Sequence, residues 1–147
     1  MAHRETVEAL LVEVTLAHER LARLQEALCD DLGLTPAMRG VLQVLADGSA
    51  RSVPQIARVK SVTRQHIQAL VDGLWDRGFC EFLPNPYHAR SPLVELTHRG
   101  QAVLETLRDV EQTSTAELAT GLTMDVGTAL AVLRRLNAGL LRRGHEP

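Results

Sequence analysis

Aromatic side chains are scarce in this sequence of 147 residues: one Trp, one Tyr and two Phe make up 3% of it. So few rings leave an aliphatic interior, without the specificity groups of an aromatic-lined ligand chamber. Cysteine is equally sparse. Cys29 and Cys80 lie far apart, in neither a metal-ligand spacing nor a disulfide framework, and read as reduced thiols. No apolar run is long enough to cross a bilayer, so a soluble chain without a membrane partner is expected. The start, Met1-Ala2-His3-Arg4-Glu5, lacks a basic segment followed by an apolar one, which makes the cytoplasm the expected location. The six histidines are scattered, His3 and His145 near the ends, and no His-x-x-Glu-His, Gly-x-Ser-x-Gly or Cys-x-x-Cys pattern ties them to a site. No enzyme activity, catalytic residue, metal or cofactor is expected.

What the chain does have is concentrated. At 45% hydrophobic and 23% charged it is globular in composition, with room for one domain. Trp75, Phe79, Phe82 and Tyr87, all of its aromatics, fall within one short stretch. Charge is uneven too. From Arg51 to Arg99 seven basic residues stand against four acids, a local +3, while the whole chain carries −2, leaving −5 elsewhere. A basic face on an acidic body suits a nucleic-acid partner, because that face is what a phosphate backbone meets within a Debye length.

Periodicity sets the order of elements. Val7, Leu10, Leu11, Val14, Ala17, Leu21, Leu24 and Leu28 recur at spacings of three and four and predict one long amphipathic helix. Thr35-Pro36 offers an N-cap with proline at the first helical position, opening a helix through Met38, Val41, Leu42 and Leu45 that stops at Asp47-Gly48. Ser52-Val53-Pro54-Gln55 has the form of a capping box and predicts a short helix to about Val59. After Lys60-Ser61-Val62, Thr63 is the expected N-cap of a helix that Gly78 ends. Phe79 to Leu83 and Leu93 to Leu96 have strand character, and the prolines and Asn85 between them force an exposed hairpin tip. Thr97 caps a further helix carrying Ala102, Val103, Leu107 and Val110. Gly121 breaks it, and Thr123 is expected to start the last helix.

This order predicts a mainly α fold with a small β-hairpin wing: a winged helix-turn-helix at residues 35–97, flanked by long terminal helices at 1–34 and 98–147, forming one domain over 1–147. Such a core already has three helices of its own. The remaining stripes, Val7/Leu10/Leu11/Val14 and Leu133/Leu136/Leu140, therefore need a partner, and packing both chain ends on a second copy about a two-fold axis buries them.

On these residues the chain resembles the multiple-antibiotic-resistance regulator (MarR) family of bacterial winged-helix repressors. The likeness runs from the first helix through Leu34-Thr35-Pro36 and the helix-turn-helix. Leu93-Val94-Glu95-Leu96-Thr97-His98-Arg99-Gly100 matches the family's strand-to-helix signature, and Pro84-Asn85-Pro86-Tyr87-His88-Ala89-Arg90-Ser91 is similar to its wing. The resemblance implies an intertwined homodimer, double-stranded DNA as partner, and a small-molecule effector of open identity lodged between the dimer helices and the DNA-binding lobe. The family's wing carries Asp-x-Arg. Here Arg90 is in place but His88 stands where the acid would be, so the arginine's usual anionic partner is missing.

Candidate site residues follow from this frame. Ser61, Thr63, Arg64, Gln65, His66 and Gln68 are the expected recognition-helix contacts, since Arg pairs with guanine, Gln with adenine, and hydroxyls with phosphate. Tyr87, His88, Arg90 and Ser91 are the expected wing contacts, with Arg90 placed for the minor groove. Arg51, Arg58, Lys60 and Arg77 are candidate backbone clamps. The expected function is a homodimeric, ligand-responsive repressor on a pseudo-palindromic operator. Two other readings stand beside it: a winged-helix protein-interaction module without DNA binding, and a redox-sensing regulator using Cys29 or Cys80. Against the latter, Asp30 and Asp31 beside Cys29 oppose the thiolate, and Cys80 lies among apolar strand residues.

Overall fold

The computed structural model describes residues 2–122 and 124–143. The elements are α1 (Ala2–Asp31), α2 (Pro36–Val44), β1 (Arg51–Ser52), α3 (Val53–Lys60), α4 (Arg64–Asp76), β2 (Cys80–Leu83), β3 (Leu93–Leu96), α5 (His98–Gly121) and α6 (Val126–Arg143). Two compact units divide the chain, Met1–Arg108 and Asp109–Pro147.

In the first unit, caps decide where helices begin. Thr35 Oγ1 accepts the Met38 N–H at 3.1 Å and Pro36 occupies the first helical position. At α3 the capping box is complete: Ser52 N–H donates to Gln55 Oε1 at 2.8 Å while Ser52 Oγ accepts the Gln55 N–H at 3.4 Å. Leu42, Leu45, Ile56, Ile67, Leu74 and Leu107 are fully buried, so α2, α3, α4 and the first turns of α5 close on one core.

The end of α4 positions everything after it. Gly78 takes φ +73°, a conformation that costs a side chain but not glycine. Its N–H reaches Trp75 O at 2.8 Å and the Phe79 N–H reaches Leu74 O at 2.9 Å, the paired bonds of a Schellman end. Phe79, expected to open the strand, thus finishes the helix instead, and β2 starts at Cys80. Thr97 then binds both segments: its N–H donates to Phe79 O at 3.2 Å, its hydroxyl donates to Gly78 O at 2.6 Å, and its Oγ1 accepts the Gly100 N–H at 3.0 Å.

The sheet has three antiparallel strands, not two, in the order β1-β3-β2. Arg51 pairs with Val94 and Ser52 with Leu93 on one side of β3; Cys80 pairs with Leu96 and Leu83 with Leu93 on the other. A two-residue strand is too short to show alternation, and Ser52 serves at once as strand end and helix cap.

Helix starts elsewhere agree with the caps read from sequence, with two differences: α2 ends at Val44 with Leu45 as its C-cap, short of the expected stop at Asp47-Gly48, and the last helix starts later than expected. Thr123 lies outside the described residues, and α6 begins at Val126, where Asp125 accepts the Thr128 N–H at 3.2 Å and the Thr128 hydroxyl. Along α1, Val7 and Leu11 are exposed and Leu10 and Val14 half-buried; in α6, Leu133 and Leu136 are half-buried and Leu140 is exposed. No single helix among the described residues is long and apolar enough to cross a membrane.

Candidate nucleic-acid interface

Thr63 has extended backbone and its Oγ1 accepts the His66 N–H at 3.1 Å, fixing the first turn of α4. Ile67, Val71 and Leu74 are buried while Arg64, Gln65, His66 and Gln68 are exposed, so the helix seats one face on the core and offers another to solvent. Ahead of it, Ser61 ends α3 in the left-handed region at φ 54°. That conformation makes the tight turn between the two helices.

The wing is ordered by Asn85. Its Oδ1 accepts the Tyr87 N–H at 3.0 Å, its Nδ2 donates to Ser91 O at 2.8 Å, and the Ser91 N–H reaches His88 O at 3.1 Å. Sequence reading gave Asn85 a place in the turn but not this clasp; an Asn between two prolines in a hairpin loop was the available signal. The clasp presents Tyr87, 87% exposed, with His88 and Arg90 also exposed. Arg90 makes no ion pair among the described residues.

Recognition helix and wing meet in a groove of about 450 Å³ lined by Arg64, Gln65 and Gln68 of α4, Arg90, Ser91 and Pro92 of the wing, and Val53 and Pro54 of α3. Five of the predicted contacts are thereby brought together. Ser61, Thr63, His66, Tyr87 and His88 are exposed but do not line it.

The four candidate clamps are dispersed. Arg51 pairs with Asp47 at 2.9 Å; the Ser49 N–H, and then Arg51, hold that carboxyl below the usual carboxylate range. Arg51 and Lys60 line a different cleft, of about 670 Å³, with Asp47 and Arg108. Arg58 is exposed on α3. Arg77 donates from Nε to Gly33 O at 2.7 Å and from Nη1 to Gly73 O at 2.8 Å, tying the end of α4 to the α1–α2 loop.

Both thiols are buried, Cys29 at 0% and Cys80 at 2% exposure. Burial, reinforced by Asp72 and Glu81, pushes the Cys80 thiol up to about 11, and its Sγ lies 3.6 Å from Val71 O. Among the described residues no group of three His, Cys, Asp or Glu side chains is placed to hold a metal ion.

No protein-family model matches the chain. Uncharacterised proteins of Mycobacterium bovis and Mycobacterium tuberculosis are each 34% identical to it over 105 residues, 71% of this chain and 73% of theirs. A crystallised MarR-family transcription regulator shares its fold with a TM-score of 0.79 at 25% identity, over 97% of this chain and 93% of the other. The chain belongs to the MarR family. The transcriptional repressor CouR, bound to a 23-mer DNA duplex, has a TM-score of 0.74 at 27% identity, covering 91% of this chain and 95% of its own. A mutant of MarR from E. coli complexed with operator DNA has 0.71 at 28% identity, covering 88% and 94%. These structural neighbours are transcription regulators, a non-enzymatic family.

Proposed function

We propose that this chain is a DNA-binding transcription regulator working as a homodimer, with one recognition helix and one wing per half of a pseudo-palindromic operator, and that it is a repressor released by a small-molecule effector. The observation that carries the DNA reading is the shared groove, in which Arg64, Gln65 and Gln68 lie beside Arg90 and Ser91. Base-edge donors and acceptors on a helix next to a cationic hairpin suit a major groove and its flanking minor groove. The DNA complexes of CouR and of E. coli MarR support it. The homodimer is supported by the partly exposed apolar stripes of α1 and α6. Effector control needs a ligand that binds the DNA-incompetent arrangement more tightly than the competent one.

Arg90→Ala tests the reading. Fluorescence anisotropy on the gene's own upstream DNA should show weaker binding, and the slope of log K against log salt should flatten by up to about two for a dimer losing two phosphate-region charges. Wild-type affinity and slope in that variant would remove the wing from the DNA and favour a protein-interaction module.

A further inference from the structure

The C-terminal half of α4 has a face that the DNA reading leaves unused. Trp75 and Asp76 stand three and four residues after Asp72, so each lies beside it on one side of the helix. With Glu81 and Phe82 of β2 they line a groove of about 670 Å³. Trp75 is the chain's single tryptophan and stands 55% exposed; Phe82 is half-buried. No cation lines the groove, and Asp72, Asp76 and Glu81 make no ion pair among the described residues. The nearest basic side chain in sequence, Arg77, is committed to the Gly33 and Gly73 carbonyls. Asp76, moreover, is the last residue of α4, where the negative end of the helix dipole disfavours a carboxylate.

Three uncompensated carboxylates around two aromatic rings suit one ligand chemistry. Ring faces attract a cation and shelter an apolar body, while carboxylates reject anions and fix the charge. We infer that this groove binds a small amphipathic organic cation, an ammonium, phosphonium or amidinium group carried on an apolar frame, and that its occupancy is transmitted to the DNA face. The transmission rests on the DNA-binding reading above and runs through one hydrogen bond: Gln68 Nε2 donates to Asp72 Oδ1 at 2.8 Å. Asp72 lines the acidic groove and Gln68 lines the groove shared with the wing. A cation that draws the Asp72 carboxylate to itself frees Gln68 from its hold, so the side chain meets DNA less well ordered. Linkage makes the effect reciprocal: DNA must weaken the cation's binding by the same factor.

The lone Trp75 reports the site directly. Tetraphenylphosphonium titrated into the full-length protein without DNA should change tryptophan emission saturably, and benzoate should not. Asp76→Asn with Glu81→Gln should weaken the cation roughly tenfold, the effect of removing about 1.4 kcal/mol of charge attraction, while leaving DNA affinity in the absence of cation unchanged. On operator DNA the cation should lower wild-type affinity and have no effect on an Asp72→Ala protein. Emission that does not saturate, responds equally to benzoate, or is indifferent to the double variant overturns the site. Saturable binding with no change in DNA affinity overturns the link. Emission that shifts when the protein alone is diluted assigns the groove to a second copy of the chain and overturns the ligand. Because the emission arm contains no DNA, a chain that fails to bind DNA at all sinks the regulator reading while the groove is still tested.

Discussion

Replacing Gly100 by alanine sets two effects of opposite sign against each other. On propensity alone, alanine in a helix is worth up to about 1 kcal/mol over glycine. Here, however, a Cβ on Gly100 would lie 1.9 Å from Phe79 O and 2.9 Å from Phe79 C, against an ordinary carbon–oxygen contact of about 3.3 Å. Both atoms are backbone, so no rotamer change relieves the contact, and the start of α5 or the entry to β2 must move by more than about 1 Å. That movement breaks the junction that Thr97 makes to Phe79 O and Gly78 O. Two hydrogen bonds at about 1 kcal/mol each, with about 1–3 kcal/mol for the disturbed packing, outweigh the propensity gain by about 2–4 kcal/mol. Urea denaturation followed by circular dichroism, at one protein concentration, should show the midpoint falling by about 1–2 M with the slope unchanged. Gly121→Ala is the control, since nothing lies within 4 Å of a Cβ there, and it should be neutral or mildly stabilising. A Gly100→Ala protein as stable as wild type would refute the reasoning and show that the junction yields without cost.

Thr63→Asp keeps a side-chain acceptor at the N-cap of α4 and should leave the melting temperature near wild type, whereas Thr63→Ala should lose about 1 kcal/mol. The aspartate should also repel phosphate, so undiminished DNA affinity in that variant would move the helix start away from the DNA backbone. Ser61 holds φ 54°, and Ser61→Gly should raise stability by up to about 1 kcal/mol because glycine enters that region freely; a lower urea midpoint would count against it. Cys80, buried and pushed up to about 11, should resist iodoacetamide at pH 8 until urea exposes it, and labelling at the same rate with and without urea would contradict its burial. The unfolded thiol ionises before the folded one, so the stabilising contribution is complete below about pH 9 and lost as pH rises towards 11.

What the sequence disclosed was what local chemistry decides. Thr35-Pro36, Ser52 with Gln55, and Thr63 each signalled a helix start that its own side chain makes, and all three caps are there. β1 stayed hidden because two residues carry no period and owe their conformation to Val94 and Leu93, some forty positions away. Phe79 reads as strand because it is an aromatic beside strand-forming residues, although the Schellman bonds at Gly78 claim it for the helix end. The groove was legible as a list of polar side chains. That Arg64, Gln65 and Gln68 share it with Arg90, and that Arg77 belongs to a carbonyl clasp, are consequences of tertiary packing that no spacing rule supplies.

On the proposed reading, α4 lets one small lobe face DNA and still respond to a ligand. Thirteen residues serve three surfaces: Ile67, Val71 and Leu74 hold the core, Arg64, Gln65 and Gln68 face the wing groove, and Asp72, Trp75 and Asp76 form the acidic flank. The middle surface is held by the core on one side and touched by the acidic flank through the Gln68–Asp72 bond on the other. Carboxylates are poorly placed for stability around this flank. Asp76 stands at the helix's negative end, and Glu81 lies directly opposite Glu95 across β2 and β3, a like-charge pair that weakens a ladder. Core packing has no need of either placement, since both side chains lie outside the buried cluster. A cation drawn into the groove would offset charges that the fold leaves uncompensated, and the one bond that ties those charges to the DNA face would change with it.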